Sequence, residues 1–265
     1  MEAITSKQNS RFKDIKKLTE DKKYRDETGL FFVDGVNFVS QAIDNNWEIE
    51  QLVYVPSQID SDFKKRVLAR IPTNKHFAVD TSLYEGLATK DDIQGVGAII
   101  RQRIQKNTLL SGAGVVLENL ANPGNLGSIA RLCAAFEVKN LYVIKPGVEF
   151  FHPEAIRASM GAIFHLNLIG FDSLNQMKQE ISSKNFVSLG TSLQTDSIDL
   201  NDYLHNRDVS KSYLIWFGSE AKGMSDEAKR LCQLLLKVPI SQAVDSLNVA
   251  ESAAVVLYEL FIRKK

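Results

Sequence analysis

Short, continuous apolar runs alternate with helix-like segments along most of this chain. In the second half, the runs "GVVLEN", "LYVIKP" and "YLIWFG" contain few polar positions, so they lack the regular alternation of a half-exposed strand. Strands of this kind are buried on both faces, and the segments between them carry apolar residues at helical spacing. The pattern predicts an α/β fold in which helices cover both faces of a mainly parallel sheet.

The first hundred residues show a smaller alternation of the same kind. Runs such as "LFFVDG" and "IEQLVYV" are strand-like, and the later segment "RQRIQKNTLLSGAG" has charged and small residues without periodicity. We therefore predict a small α/β domain over residues 1–102, a linker over 103–111 and a larger α/β domain over 112–265.

Three further elements are expected from local patterns. The segment "TSLYEGLATK" is helix-like, a polar loop separates "FVSLGTS" from "YLIWFG", and a long final helix is predicted from about Ser246 to Arg263.

Composition limits the possible environments and partners of the chain. No apolar run approaches the roughly 20 residues that cross a bilayer, and the polar start "MEAITSKQNSRFKDIKK" does not resemble a signal peptide. A cytoplasmic location is therefore expected. Lys and Arg total 32, as do Asp and Glu, so any binding to a polyanion must depend on a local concentration of basic residues.

The two cysteines do not form a disulfide or metal motif. Cys133 and Cys232 lie among apolar residues and share no close spacing with each other or with the four histidines. Buried free thiols are therefore predicted, and no metal site is expected.

Several common catalytic motifs are missing from the sequence. It has no G-x-x-x-x-G-K-[ST], no G-x-G-x-x-G after a strand, no G-x-S-x-G and no H-E-x-x-H. These absences disfavour a kinase, an ordinary dehydrogenase, a hydrolase of the α/β type and a zinc peptidase.

The N-terminal segment has a local excess of basic residues. Residues 1–26 hold eight basic and five acidic side chains, and Phe12, Ile15 and Leu18 recur at helical spacing. An amphipathic helix with a basic outer face is predicted, and both a solvated surface and a phosphate-binding arm are compatible with it. The candidate phosphate-binding residues are Lys16, Lys17, Lys22, Lys23 and Arg25.

Three loops that follow strands have unusual compositions. Ligands of an open parallel sheet bind beyond the carboxyl ends of its strands, where such loops converge. In "ENLANPGNLGSIAR", Pro123 and a positive φ at Gly124 would allow a sharp turn, and Asn125 is predicted to cap the next helix. Arg131 follows within two helical turns, so both polar side chains can face one site. A tight turn with a surface arginine explains the loop equally well.

The second loop, "FGSEAKGMSDE", combines glycines with a carboxylate. Gly218 and Gly223 allow a close approach of backbone to a ligand, and Glu220 can orient an arginine or a ligand amine. A capped turn before a helix at Ser225 or Asp226 accounts for the rest of the loop but not for Glu220.

The third loop, "VPISQAVDSLNVAESAA", leads into the final helix. Ser246 is the predicted N-cap, which places Asn248 in the first turn. Asparagine is a poor helix former there unless its amide has a partner, so Asn248 is a candidate for a further role.

Together, the segments "NPGNLGSIAR", "FGSEAKGMS" and "VPISQAVDSLNVAESAAVVLYE" resemble the SpoU branch of the SPOUT class of RNA ribose 2'-O-methyltransferases, in the order and spacing of that family. The segments "KKYRDETGLFFVDG" and "IQGVGAII" are similar to the accessory RNA-binding domain, which has a small ribosomal-protein-like fold. The resemblance implies a C-terminal trefoil knot, S-adenosylmethionine as cofactor, a homodimer and an RNA substrate.

The resemblance also implies roles for individual positions. The residues that match the catalytic motifs are Asn125, Arg131, Glu220, Ser246 and Asn248. The residues expected to bind the cofactor are Thr191, Phe217, Gly218, Ser219, Val238, Pro239, Ile240 and Leu247. Arg131 could act as a general base or as an electrostatic and phosphate-positioning group. Because a guanidinium has a pKa above about 12, the second role is favoured.

Some positions depart from the family's usual residues. Gln242 replaces a frequent glycine, Asp245 and Asp34 replace frequent glutamates, and "AES" at 250–252 replaces small and apolar residues. These departures leave cofactor affinity and dimer packing open.

Ribosomal RNA is the expected substrate by analogy with two-domain relatives, including those that confer thiopeptide resistance. The sequence leaves open a transfer-RNA enzyme, an inactive RNA-binding ribosome-assembly factor and the identity of the modified nucleotide. An oxidoreductase would require the missing glycine fingerprint.

Overall fold

A computed structural model describes residues 3–88, 93–194, 197–220 and 222–263. The chain forms two compact units, one of Met1–Arg103 with Phe151–Ile156 and the other of Ile104–Phe150 with Arg157–Lys265. Part of the helix predicted over "TSLYEGLATK" lies outside the described residues.

The first unit is built around a small mixed sheet. Its helices and strands are α1 (Ser10–Glu20), α2 (Lys22–Thr28), β1 (Leu30–Asp34), α3 (Val36–Asp44), β2 (Ile49–Tyr54), α4 (Asp62–Ala69), β3 (His76–Ala78), α5 (Thr81–Glu85) and β4 (Val96–Arg101). In the described residues the strand order is β1-β4-β2-β3, with β4 antiparallel to β1 and β2. As predicted, Phe12, Ile15 and Leu18 form the buried face of α1 and belong to the unit's core.

The second unit contains a larger set of alternating strands and helices. They are β5 (Gln105–Lys106), β6 (Gly114–Glu118), α6 (Pro123–Ala135), β7 (Asn140–Ile144), α7 (Pro153–Ala158), β8 (Asn167–Phe171), α8 (Leu174–Ser182), β9 (Phe186–Thr191), β10 (Ile198–Asp199), α9 (Leu200–Asn206), β11 (Ser212–Phe217), α10 (Asp226–Lys229), β12 (Leu234–Lys237) and α11 (Val249–Phe261). The first residues of α7 group with the first unit.

The sheet of the second unit is parallel throughout its described pairings, which confirms the predicted fold class. Its strand order is β10-β12-β9-β11-β6-β7-β8-β5. The chain proceeds from β6 to β7 and β8 on one side, then crosses over, and β11 returns to the other side of β6. The direction of strand order therefore changes between β6 and β11, and such a switch point is where ligands bind in open α/β sheets.

Two segments that were predicted to lack regular structure contain short elements, and the final helix begins later than predicted. The predicted linker contains β5, which pairs with β8, and the predicted polar loop before β11 contains β10 and α9. The final helix begins at Val249 instead of Ser246. Elements of two residues are too short to produce a recognisable period. The trefoil knot stays a prediction.

The two cysteines have free thiols. Cys133 is fully buried and Cys232 is half-buried, and neither forms a disulfide. Burial raises the pKa of the Cys133 thiol and raises the pKa of Cys232 to about 12. The described residues include no cluster of His, Cys, Asp and Glu that could hold a metal ion. None of the described helices is long and apolar enough to cross a membrane.

Candidate active site

A cavity of about 530 Å³ lies at the carboxyl ends of β9, β11 and β12. This volume is within the range of small-molecule and cofactor sites. Three chain segments meet there, the residues after β9, the loop after β11 and the loop between β12 and α11. The apolar lining residues are Leu193, Phe217, Met224, Leu236, Val238, Leu247 and Val249.

Eight of the predicted site residues line this cavity. They are Thr191, Phe217, Gly218, Ser219, Glu220, Val238, Ser246 and Leu247. Within the part of the chain that the structure describes, five predicted site residues do not line the cavity: Asn125, Arg131, Pro239, Ile240 and Asn248. The second and third loops therefore contribute directly to the cavity, whereas the first loop reaches it through another residue.

The loop after β11 folds back on itself as a tight hairpin. The Ser219 N–H donates to the Gly223 carbonyl at 3.0 Å, and the Gly223 N–H donates to the Ser219 carbonyl at 2.9 Å. A Cβ at Gly218 would lie 2.0 Å from the carbonyl carbon of Gly223 and 2.1 Å from the Met224 nitrogen. Glycine is thus required at position 218, because backbone atoms of Gly223 and Met224 occupy the space that a side chain would need.

Thr191 joins the ends of two neighbouring strands. Its hydroxyl donates to the Trp216 carbonyl at 3.0 Å, which links the end of β9 to β11 beside the cavity. One lone pair of the hydroxyl oxygen is still available to accept a hydrogen bond.

The first loop begins its helix earlier than predicted. Asn122, not Asn125, is the N-cap of α6, and its side chain accepts from the Asn125 N–H at 3.0 Å. Pro123 occupies the first helical position, where its missing N–H costs nothing. Gly124 lies within this helix, and the residue with positive φ is Asn119, at 55°. The helix start leaves the Asn125 side chain free for a different partner.

That partner is Glu220 of the second loop. The Asn125 amide donates to the Glu220 carboxylate, which also lines the cavity. The hydrogen bond connects two segments that are 95 residues apart in the chain. The carboxylate therefore fixes the first loop against the second, and it is not paired with Arg131.

A second carboxylate, which the sequence reasoning missed, joins the same two loops. Glu118, at the end of β6, is only 2% exposed. It accepts from the Asn119 amide at 2.7 Å and from the Ser225 N–H at 2.9 Å. Its position at the end of an apolar strand was the available signal, because a carboxylate there is buried only when it has partners.

Arg131 lies on the exposed surface of α6. It lies six positions after Asn125, which corresponds to about 9 Å along the axis and an angular separation of roughly 120° around it. Arg131 does not line the cavity of its own chain, and the expectation that it and Asn125 act at one site stays a prediction. Among the described residues, Arg131 has no hydrogen-bond or ion-pair partner.

The third loop places a different residue at the helix start than predicted. Asn248 is the N-cap of α11, and its side chain accepts from the Ala250 N–H at 2.8 Å. The Glu251 carboxylate accepts from the Asn248 N–H at 3.2 Å, which completes a capping box. Capping thus accounts for the Asn248 amide, and Ser246 is left on the cavity wall.

The candidate phosphate-binding residues of the first unit differ in accessibility. Arg25 is 2% exposed and donates to the Leu18 carbonyl, so its assignment to the outer face was wrong. Lys16, Lys22 and Lys23 are exposed but form ion pairs with carboxylates four residues later. Lys17 lies over the Tyr24 ring at 5.0 Å. The surface carries both charges and is less basic than the sequence indicated.

Comparison with known proteins identifies the class of this fold and site. The SpoU rRNA Methylase family matches residues 113–258, and an MRM3-like substrate binding domain matches residues 9–98. The first match covers more than half of the chain and contains the three motif loops. The protein belongs to the SpoU rRNA methylase family.

Individual relatives resemble the chain over nearly its whole length. The 23S rRNA (uridine(2479)-2'-O)-methyltransferase of Streptomyces viridochromogenes is 26% identical, and the match covers 97% of this chain and 90% of the relative. A Bacillus subtilis 23S rRNA (guanosine(2553)-2'-O)-methyltransferase is 24% identical over 98% and 99% of the two chains. The crystal structure of an rRNA methyltransferase from Sinorhizobium meliloti is 27% identical, with a TM-score of 0.84 over 98% and 96%. The same enzyme is also known with bound AdoMet (S-adenosylmethionine).

Proposed function

We propose that this protein transfers a methyl group from S-adenosylmethionine to a ribose 2'-hydroxyl of ribosomal RNA. The observation that carries the proposal is the convergence of the family's motif loops on one cavity at the carboxyl edge of the sheet. The S. viridochromogenes and B. subtilis relatives are named as 23S rRNA 2'-O-methyltransferases, which favours ribosomal over transfer RNA. They are named for different bases, so no particular nucleotide is assigned.

The cavity fits the chemistry of the cofactor. Its apolar lining suits an adenine ring, and its hydroxyl and backbone groups suit the ribose hydroxyls. The carboxylates of Glu220 and Asp245 suit the cofactor's cationic groups. Thr191, Phe217, Gly218, Ser219, Val238 and Leu247 would hold the cofactor, and Pro239 and Ile240 would support that wall from outside the lining.

Bound S-adenosylmethionine supplies an electrophilic methyl group on its sulfonium. The protein must hold the ribose oxygen in line with that methyl group and stabilise the negative charge that develops as its proton leaves. Arg131 is suited to this charge and to an RNA phosphate, because its guanidinium is exposed and has no partner among the described residues. Asn125 and Glu220 fix the neighbouring loops, Asn248 fixes the start of α11, and Ser246 presents a hydroxyl to the cavity.

A homodimer explains how Arg131 reaches a cavity that it does not line. The second unit exposes Val255 and Tyr258 one turn apart on α11, and the Tyr258 ring lies edge-on to that of Phe136, the residue after α6, with ring centroids 6.0 Å apart. An apolar face of this kind suits association with a second copy. The pairing would bring Arg131 of one copy to the cavity of the other.

The first unit would hold the RNA through its exposed lysines Lys16, Lys17, Lys22 and Lys23, which position the backbone without reading sequence. Action on ribosomal RNA would place the protein in the cytoplasm. The candidate motif residues are all present, so an inactive assembly factor is the less favoured function.

Methyl transfer from labelled cofactor to ribosomal RNA and transfer RNA, followed by mapping of the 2'-O-methyl position, tests the proposal. Label in ribosomal RNA alone is the expected result. Label in transfer RNA would change the substrate, and label in neither would favour an inactive binder.

The variant Arg131→Ala tests whether the guanidinium stabilises the negative charge that develops on the ribose oxygen. Loss of a group that stabilises developing charge typically lowers the rate by about 10² to 10³. We expect transfer to fall by at least that factor while calorimetric cofactor affinity stays unchanged. Turnover near the wild-type rate would contradict the role of Arg131.

A further inference from the structure

Lys229 is a charged residue of the cavity that none of the family motifs assigns. It is the last residue of α10 and lines the cavity together with the loop after β11. Only 18% of its side chain is exposed, although it carries a full charge. Its ion-pair partner is Asp226, at 3.4 Å, whose side chain is 82% exposed.

This pairing does not explain why the lysine is so strongly covered. An ion pair with a largely solvated carboxylate contributes little, typically less than about 1 kcal/mol. A largely covered lysine side chain is favourable when its ammonium group meets an anion or several acceptors in the same cavity. The other charged residues that line the cavity, among those described, are Glu220, Lys222 and Asp245.

Only one of the charged groups of the cofactor can attract Lys229. S-adenosylmethionine carries a positive sulfonium, a positive ammonium and a negative carboxylate. A lysine in the same cavity repels the first two and attracts only the third. Glu220 and Asp245 have the opposite preference, so the cavity, like the cofactor, carries charges of both signs.

We infer that Lys229 binds the α-carboxylate of S-adenosylmethionine and thereby selects the intact amino-acid tail of the cofactor. The inference rests on the proposed function and adds a binding residue to that site. In the free protein, Asp226 holds the ammonium group until the carboxylate takes its place.

Calorimetric titration with two cofactor probes tests this inference. The probes are S-adenosylmethionine and its decarboxylated form, which keeps both positive charges and lacks only the carboxylate. We expect Lys229→Met to weaken binding of S-adenosylmethionine by about tenfold, since it removes one charge-assisted bond. Binding of the decarboxylated form should be unchanged or tighter, because a repelling charge is lost.

Three variants serve as controls. Lys229→Arg keeps the charge and should retain affinity within about threefold. Lys211→Met removes an exposed lysine just before β11, at the opposite edge of the sheet, and should change neither affinity. Asp226→Asn removes the competing carboxylate and should leave binding of S-adenosylmethionine unchanged or slightly tighter.

The outcomes separate this inference from the proposed function. Equal affinities of the wild type and Lys229→Met for S-adenosylmethionine, or an equal loss for both probes, would overturn the inference alone. Decarboxylated probe that still binds to Lys229→Met shows that the cavity is folded in that variant. A wild-type protein that binds neither probe would overturn the proposed function and this inference with it.

Discussion

Individual glycines of the loop after β11 serve two different physical purposes. At Gly218 the backbone conformation is ordinary, but an added Cβ would collide with backbone atoms of Gly223 and Met224. At Gly223 an added Cβ would meet nothing within 4 Å, but φ is 65°. The first glycine is required by space and the second by conformation.

These purposes predict different outcomes for the two alanine variants. Gly218→Ala should displace the loop and abolish measurable cofactor binding. No rotamer change can move the added Cβ away from the backbone atoms that it meets. Gly223→Ala should cost roughly 1 to 2 kcal/mol of strain and retain binding. Calorimetry and thermal unfolding measure both effects. The assignment of the loop would be wrong if Gly218→Ala bound the cofactor like the wild type.

For single residues, the sequence predicted the cavity lining better than the hydrogen-bond partners. Glu220 is unusual in a turn, and the structure shows its carboxylate bound to Asn125. Asn125 and Ser246 were the predicted N-caps of α6 and α11. The structure has Asn122 and Asn248 in these positions. Cap identity depends on where the backbone enters helical geometry, and neighbouring polar residues compete for that position.

Among the elements, α1 and α2 carry the first unit's candidate RNA contacts. Their exposed lysines are paired with carboxylates one turn later, and such pairs are weak enough to exchange for phosphates. Counterion release then predicts how the affinity depends on salt. Each phosphate contact of a single strand contributes about 0.7 to the slope of log affinity against log salt concentration.

Neutralising Lys16, Lys17, Lys22 and Lys23 together should therefore weaken RNA binding and reduce that slope by about 3. A variant that neutralises Lys106, Lys139, Lys178 and Lys211, four lysines that are exposed on the second unit, is the charge-matched comparison. Filter binding over a series of salt concentrations measures the slope. If the first variant kept the wild-type slope, the two helices would be an ordinary solvated surface.

The whole second unit shows which features of topology a sequence can reveal. Continuous apolar runs predicted a parallel sheet correctly, because such strands must be covered on both faces. The order of the strands was beyond the same reasoning, since periodicity describes how a strand is buried and not which strand lies beside it. The switch point between β6 and β11, which brings Glu118 and Asn125 to the second loop, is a consequence of that order.

The proposed homodimer leads to a test that needs two defective copies. Arg131→Ala leaves the cavity intact, whereas Gly218→Ala damages the cavity and leaves Arg131 in place. If Arg131 acts in the cavity of the partner copy, a mixed dimer contains one complete site. If it acts within its own copy, a mixed dimer contains none.

Each variant alone should be inactive, and an equimolar mixture that exchanges subunits should recover about a quarter of the wild-type rate, because half of the dimers are mixed and each has one of two sites. Analytical ultracentrifugation must first show that both variants dimerise, which is expected because neither substitution changes Val255 or Tyr258. A mixture with no recovered methyl transfer would place Arg131 at the cavity of its own copy. A wild-type protein that sediments as a monomer would exclude the dimer itself.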